Sequence, residues 1–278
     1  MRLSALKNLT ETYEDVAVAS MQEIRQATLA NREFLAGVGR IHALAKSAYL
    51  AQILATLGRK QREAALEAIA KNRKSAVVFI SGNHSLLGNV VFQTYKVFLD
   101  LVGKIECDLV ILGAIGRYLA SGERPPLTFA YFDLDDFSIS ESQIKPIVQH
   151  ISRYQKIFVV YPKFDTVLAQ SPAIDDISGG AGAETNLAAR KRYFFEPSAG
   201  EVMAYFEGQI IGTLFRQKVL ESMLAKFASR LAIMDEATQK IGAIIARQEI
   251  WQKVAKRRQE NEKLRESFAG ISLWEEGR

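Results

Sequence analysis

The chain has 278 residues, of which 48% are hydrophobic, so it can bury a sizeable core and is not an intrinsically disordered protein. Its formal net charge of +5 favours acidic partners, such as nucleic acid, acidic protein surfaces or anionic lipid, without choosing among them. Cys107 is the only cysteine, which excludes a disulfide framework and a thiolate metal cluster and is expected of a reducing compartment.

The N-terminal part of the chain predicts one long helix from residue 3 to about residue 59. It contains no proline, and its apolar residues recur at steps of three and four, which predicts a buried seam formed by Leu3, Leu6, Leu9, Tyr13, Val16, Phe34, Val38, Ile41 and Leu44. No run of about eighteen apolar residues and no signal-peptide pattern occurs, so we expect a soluble chain.

The middle of the chain alternates between strand and helix patterns. Four apolar runs of strand length are bounded by Gly, Pro and Asp, at residues 75–80, 107–113, 127–133 and 156–162. Helical patterns separate them at residues 89–102, 114–120 and 141–154. This order predicts βαβ units and a Rossmann-like, mostly parallel sheet. A glycine-rich loop follows at 177–186, and residues 190–197 could return as an edge strand.

The last part of the chain predicts a second long helix, because no proline follows Pro197. A heptad pattern indicates its seam, with members Leu220, Leu224, Phe227, Leu231, Met234, Thr238, Ile241 and Ile245. Two long helices at the chain ends can bury their seams by pairing as an antiparallel coiled coil. We therefore expect three sections: a helix at 1–60, an α/β domain at 75–195 and a helix at 198–270.

The loop after the first predicted strand lacks the residues of a nucleotide site. The stretch "GNHSLLGNV" has no lysine at its end, and Gly82 and Gly88 do not complete a dinucleotide pattern, so we expect them to serve a tight turn and close packing instead. Three carboxylates, Asp133, Asp135 and Asp136, predict a solvated loop before a helix near Ser140 more than a metal site.

No catalytic arrangement emerges from the remaining polar residues. His42, His84 and His150 lie in unrelated segments, and no Ser/His/Asp or Cys/His arrangement can be argued from them. We expect no cofactor and no metal.

Four stretches carry a family pattern. The last helix has a Glu-Pro pair and an Ala-x-Arg…Met-x-x-Ala-Thr pattern, at Glu196, Pro197, Ala228, Arg230, Met234, Ala237 and Thr238. Shorter matches are Ser81, Leu86 and Gly88 after the first strand, then Tyr161, Phe164, Gln170 and Pro172, then Ala255, Leu264 and Gly270. Over residues 75–270 the chain resembles the gamma subunit of rotary F-type ATP synthases, and its order of helix, α/β domain and helix fits that family.

The chain also departs from the family pattern. The family's Ser-Glu before the matched arginine reads Ala225-Lys226 here, and its Arg-Gln pair near the tip reads Lys256-Arg257, or Arg258-Gln259 with the register shifted by two. The family's N-terminal pattern is not recognisable in "ASMQEIRQATLANREFLAG". These differences indicate a divergent member of the family. The chain could belong either to the housekeeping synthase or to a specialised F-type-like ATPase.

The resemblance implies a non-catalytic rotor shaft. Such a subunit transmits torque between an ion-driven c-ring, translocating protons or sodium, and catalytic alpha and beta subunits, with an epsilon-type subunit as a further partner. The resemblance places it on the cytoplasmic face of the inner membrane, as a peripheral member of the complex, with no nucleic acid partner. It also implies that Lys256, Arg257, Arg258 and Gln259 contact a beta subunit, whereas the residues alone are equally consistent with a solvated face.

Two other functions remain open from the residues. An α/β nucleotide-binding enzyme with helical extensions would be stabilised by ATP or NAD in a thermal shift, since a ligand of the native state raises its stability. A coiled-coil adaptor or filament scaffold would self-associate through its seam, whereas a shaft would be monomeric once its terminal helices pair.

Overall fold

The computed structural model describes residues 2–56, 72–84, 87–178 and 199–275. In chain order its elements are α1 (Arg2–Thr56), β1 (Asn72–Ile80), α2 (Val90–Val102), β2 (Cys107–Leu112), α3 (Ala114–Ser121), β3 (Phe129–Phe132), α4 (Glu141–Ile151), β4 (Tyr154–Phe164), β5 (Gln170–Asp176) and α5 (Ala199–Glu275). The chain divides into two compact units, one made of Met1–Val16 with Ile233–Arg278 and the other of Ala17–Ala232. Helices α1 and α5 each contribute residues to both units.

The larger unit contains a five-stranded sheet in the order β3-β2-β1-β4-β5. Strand β1 pairs in parallel with β2 and β4, and β2 pairs in parallel with β3, whereas β5 is antiparallel to β4. The central strands are apolar on both faces because helices cover both faces. These findings confirm the predicted α/β class and the mostly parallel sheet.

The two faces of the sheet have separate cores. Val78 and Ile80 of β1 lie in one core together with residues of α1, α4 and α5, including Ile24, Ile147 and Phe215. Alternate residues of the same strand point the other way, so Val77 and Phe79 pack against α2 and α3. Helix α5 is therefore one wall of the α/β core in this unit.

Helices α1 and α5 contact each other within each unit. Thr238 lies 2.7 Å from Thr10 in the first unit, and the Asn31 side chain donates to the carbonyl of Thr213 at 3.1 Å in the second. The two terminal helices therefore pair with each other in each unit, as predicted. The predicted seam of α5 is confirmed, since all eight of its members from Leu220 to Ile245 are buried or half-buried.

The seam predicted for α1 is wrong in register. Leu6, Leu9, Tyr13 and Val16 are 42–53% exposed, and Phe34 and Ile41 are both 55% exposed. A stripe of buried or half-buried positions is formed instead by Leu3, Lys7, Thr10, Glu14, Ala17, Met21, Ile24, Thr28, Asn31, Leu35 and Val38, of which Leu3 and Val38 belong to the predicted seam, whereas the side chain of Leu44 lies outside the described part. This stripe keeps a heptad spacing but lies one residue, about 100°, further round the helix, and several of its members are polar.

One helix end and one strand differ from the sequence prediction. The helix predicted for 141–154 ends at Ile151, because Tyr154 already pairs with Asn72 in the β1–β4 ladder. Strand β5 was not predicted, since its sequence "QSPAIDD" has a proline and two carboxylates that only an edge position tolerates. The edge strand suggested at 190–197 lies outside the described residues.

Along α5 the burial ends after the seam. Every described side chain from residue 246 to residue 266 is exposed. Within the described ranges, no helix has the length and apolarity needed to cross a bilayer.

Candidate functional site

The loop that follows β1 lies where many α/β proteins bind ligands. It leaves the carboxyl end of β1, beside the point where the order of parallel strands reverses between β1 and β4. Gly88 has φ +63°, which confirms a turn that favours glycine. Gly82 is packed against Leu87 and Asp136, so a side chain there would clash. Both glycines therefore serve the local packing, as predicted.

Three backbone donors in the first turn of α3, beside this loop, are used within the protein. Ala114 and Gly116, in the first turn of α3, donate their N–H groups to the Asn83 side chain at 2.7 Å and to the Ser81 hydroxyl at 2.9 Å. Ile115 donates its N–H to the carbonyl of Gly82 at 2.9 Å. In a phosphate-binding loop such N–H groups point at the ligand. This arrangement therefore does not favour a nucleotide site.

Side chains of α5 contact both ends of the same loop. The Lys226 ammonium donates to the carbonyl oxygen of Ser81 at 2.9 Å, and the Ser229 hydroxyl donates to the carbonyl oxygen of Leu87 at 2.9 Å. Both α5 residues are buried. Helix α5 therefore covers one side of this loop.

A buried ion pair completes this contact. Lys226 Nζ lies 2.7 Å from Asp136 Oδ1, and the two side chains are only 5% and 3% exposed. The other carboxylate oxygen of Asp136 accepts the backbone N–H groups of Asn83 at 2.7 Å and His84 at 2.9 Å. We call Lys226, Asp136 and the Ser81 carbonyl the Lys226 clamp.

The environment of Asp136 stabilises its charged form. Burial raises the pKa of this carboxyl, but the Lys226 ammonium and the two backbone N–H donors outweigh burial and hold the pKa below its ordinary value. The prediction of a solvated loop is therefore wrong for Asp136. The reason is that the cation comes from α5, 90 residues along the chain, where the local sequence gives no sign of it.

A second polar cluster joins α5 to the sheet. The Tyr161 hydroxyl on β4 lies 2.8 Å from Asp175 Oδ2 on β5 and 2.9 Å from Glu221 Oε2 on α5. Lys218 pairs with Asp175 at 2.5 Å, and Arg32 of α1 lies 3.4 Å from Glu221. Burial, followed by the nearby Glu221 charge, raises the pKa of Tyr161, so this hydroxyl stays protonated.

Arg230, one of the residues that carry the family pattern, is buried near the clamp. Its guanidinium lies 5.4 Å from the ring centre of Phe137 and 5.5 Å from that of Phe227, and the residue is 5% exposed. Cation–π contact of this kind is favourable when it is desolvated. In this chain Arg230 therefore helps to pack α5 against the loop that carries Asp136.

The basic cluster of the sequence analysis lies on the exposed part of α5. Lys256, Arg257, Arg258 and Gln259 are all exposed. Lys256 approaches Glu260, one turn further along, at 4.0 Å, with the two side chains 79% and 58% exposed. Such a pair contributes little to stability. The helix therefore presents these side chains to solvent or to a partner.

The histidines and carboxylates do not form a metal centre in the part of the chain that the structure describes. His84 lies 3.2 Å from Asp136, and His150 contacts the rings of Phe132 and Tyr154. Asp133 accepts the Asn83 amide at 2.7 Å. The side chain of His42 is outside the described part.

The comparisons agree on one family. The ATP synthase family model matches residues 2–261. The ATP synthase gamma chain of Pelotomaculum thermopropionicum is 22% identical over 284 residues, which cover 98% of this chain and 95% of that protein. The gamma chain of Ruthia magnifica is 23% identical over 255 residues, covering 85% and 84%.

A solved structure shares the fold. The chain in the central stalk and c-ring structure of Tetrahymena thermophila mitochondrial ATP synthase superposes with a TM-score of 0.57 at 16% identity, covering 83% of this chain and 99% of that one.

Proposed function

The chain belongs to the ATP synthase gamma family, and on that premise we propose that it is the shaft that carries torque between an ion-driven c-ring and catalytic alpha and beta subunits. As a member of this family, it is a non-catalytic central-stalk subunit of a rotary ATP synthase. We further propose an epsilon-type subunit as a partner and a peripheral position at the cytoplasmic face of the inner membrane, with proton or sodium coupling. We propose that the three predicted sections, 1–60, 75–195 and 198–270, are the functional domains of this shaft.

The observation that carries this proposal is the continuity of α5. This helix has 77 residues and contributes to both compact units. In the larger unit it is fastened to the sheet by buried polar contacts, and in the other it pairs with α1 through the Thr10–Thr238 contact. Torque transfer requires a continuous helix that is held to the α/β domain by specific contacts.

We propose that the basic cluster Lys256, Arg257, Arg258 and Gln259 contacts acidic side chains of a beta subunit. These side chains are exposed, and their charges complement an acidic surface. Exposed pairs contribute only about 1 kcal/mol each, so a rotating shaft can release them in turn.

The test is a complex assembled with a variant in which Lys256, Arg257 and Arg258 are replaced by alanine. The isolated subunit should stay folded, because these side chains make no buried contact in the described structure. ATPase turnover or its coupling to ion transport should fall, and more at low salt than at high salt, since salt screens exposed charges.

The matched control removes three charges from α5 outside the cluster. Lys240, Arg247 and Lys263 are also exposed, and their triple alanine variant has the same change in net charge. We expect this control to retain turnover and coupling. Equal behaviour of the two triple variants at low ionic strength would contradict the beta-subunit contact and leave the cluster as a solvated face.

The nucleotide-binding alternative is not favoured by the geometry of the loop after β1. The first N–H donors of α3 are used within the protein, and Lys226 and Ser229 donate to the carbonyl groups of Ser81 and Leu87. Calorimetry with ATP or NAD on the isolated chain should therefore detect no micromolar binding.

A further inference from the structure

We propose that the Lys226 clamp is a positioning device that keeps α5 from turning within the α/β domain when torque is applied. The inference rests on the proposed shaft function and adds the residues by which the helix and the domain rotate together. The clamp joins one side chain of α5 to two separate parts of the domain, the end of β1 at Ser81 and the loop before α4 at Asp136.

The geometry of the clamp resists rotation of the helix about its axis. A side-chain tip lies about 5–6 Å from a helix axis, so a turn of roughly 30° would move it by about 3 Å. The Lys226 ammonium sits 2.7 Å from Asp136 and 2.9 Å from the Ser81 carbonyl, and such a displacement would break both contacts. Both groups are desolvated, so no water would replace the lost bonds at once.

The apolar contacts around α5 do not provide the same restraint. Phe215 and Phe227 pack the helix against the sheet, but apolar burial is non-directional and tolerates small shifts of the surfaces in contact. A charged hydrogen bond with two fixed acceptors has a defined direction and length. The clamp, together with the directional contacts of Glu221 and Ser229, therefore defines the angular position of α5, whereas the apolar core defines its distance from the sheet.

The clamp pairs a cation of α5, Lys226, with an anion of the α/β domain. Asp136 supplies the matching carboxylate from the other side of the contact. The two residues thus act as one unit, and each should be dispensable only when the other is changed too.

The test uses the whole complex in sealed vesicles, with the chain replaced by the double variant Lys226→Met with Asp136→Asn. Exchanging a buried ion pair for neutral residues of similar volume commonly preserves stability, so the variant should fold and assemble. ATP hydrolysis and the ATP-driven membrane potential, read with a voltage-sensitive dye, are measured on the same vesicles. We expect hydrolysis within about twofold of the parent, but at least a threefold lower potential per ATP hydrolysed.

The matched control is Arg216→Met. Arg216 pairs with Glu141 at 3.7 Å and joins the same helix to α4, but both side chains are solvent-accessible, 39% and 81% exposed. This variant should keep the parent's ratio of potential to hydrolysis. An unchanged ratio in the double variant, or an equal loss in the control, would overturn the clamp as a positioning device.

A second variant tests the clamp if the double variant does not assemble into the complex. Lys226→Gln keeps a hydrogen-bond donor but removes the charge, so an intermediate ratio supports the clamp and a parental ratio overturns it. The outcome also separates the two proposals. If the unaltered chain restores no potential in a complex lacking its gamma subunit, the shaft function fails; if it restores the potential and the double variant does so equally well, only the clamp fails.

Discussion

Replacing Lys226 by methionine in the isolated chain should destabilise it by about 3 kcal/mol, because Asp136 would keep its charge in a site with no cation. The Asp136 side chain is 3% exposed, so water cannot replace the ammonium. The figure lies at the lower end of the usual range because the backbone N–H groups of Asn83 and His84 still donate to the carboxylate. Methionine fills a similar volume, so the cavity contribution is small.

This loss is measurable by urea unfolding followed by circular dichroism at pH 7, and it corresponds to a melting temperature lower by about 6–12 °C. Adding Asp136→Asn should restore most of the stability, to within about 1 kcal/mol of the parent. A single variant that loses less than about 1 kcal/mol, or a double variant no more stable than the single one, would refute the reasoning.

The pH dependence of the two proteins should differ in a defined direction. In the parent, the pKa of Asp136 is lower in the folded than in the unfolded state, so its contribution is present above about pH 4 and is lost as the pH falls through the folded value. In Lys226→Met the burial, the two backbone donors and the His84 ring 3.2 Å away remain but the ammonium is gone, so protonation of Asp136 relieves part of the penalty. The stability difference between the two should therefore shrink as the pH is lowered.

Two further outcomes are expected. Tyr161→Phe removes a hydroxyl that lies within 2.9 Å of Asp175 and Glu221, and it should cost about 1–2 kcal/mol in urea unfolding; an unchanged midpoint would contradict the proposed second polar cluster. Leu9→Ser, at a position 53% exposed, should change stability by less than about 0.5 kcal/mol, whereas Ile24→Ala, at a position 5% exposed, should cost about 2–5 kcal/mol. The opposite order would restore the seam first predicted for α1.

The sequence was sufficient for the elements whose periodicity is strong. The apolar runs that became β1 to β4 and the heptads of α5 were correctly predicted, because burial on two faces or along one seam leaves a clear pattern. Strand β5 was missed because an edge strand needs few apolar residues. Its Pro172 lies opposite Pro162 of β4, a pairing that only the folded sheet reveals.

The seam of α1 shows why periodicity alone can mislead. Leu6, Leu9 and Tyr13 have the correct spacing, yet the helix turns Thr10 and Glu14 toward α5. Polar side chains are tolerated there because Thr238 lies 2.6 Å from a Glu14 carboxylate oxygen. The hydrophobic pattern therefore predicted the spacing of the buried positions of α1 correctly, but not which side of the helix is buried.

The clamp could not have been predicted from local sequence. The sequence distinguishes Lys226 only as a departure from the family pattern, and it predicts a solvated loop around Asp136. Their pairing depends on long-range packing of α5 over the carboxyl end of β1. The contact between the basic cluster, Lys256 to Gln259, and a beta subunit stays a prediction, because testing it requires the partner subunit.

The central claim, that this chain rotates as a shaft, is tested most directly by observing rotation. Tyr118 is 80% exposed on α3, so a bead attached through Tyr118→Cys in a Cys107→Ala background would report the motion of the α/β domain. With the catalytic subunits fixed to a surface, ATP should drive rotation of the bead in one direction. A bead that stays fixed, or that only fluctuates in both directions while the complex hydrolyses ATP, would contradict the account.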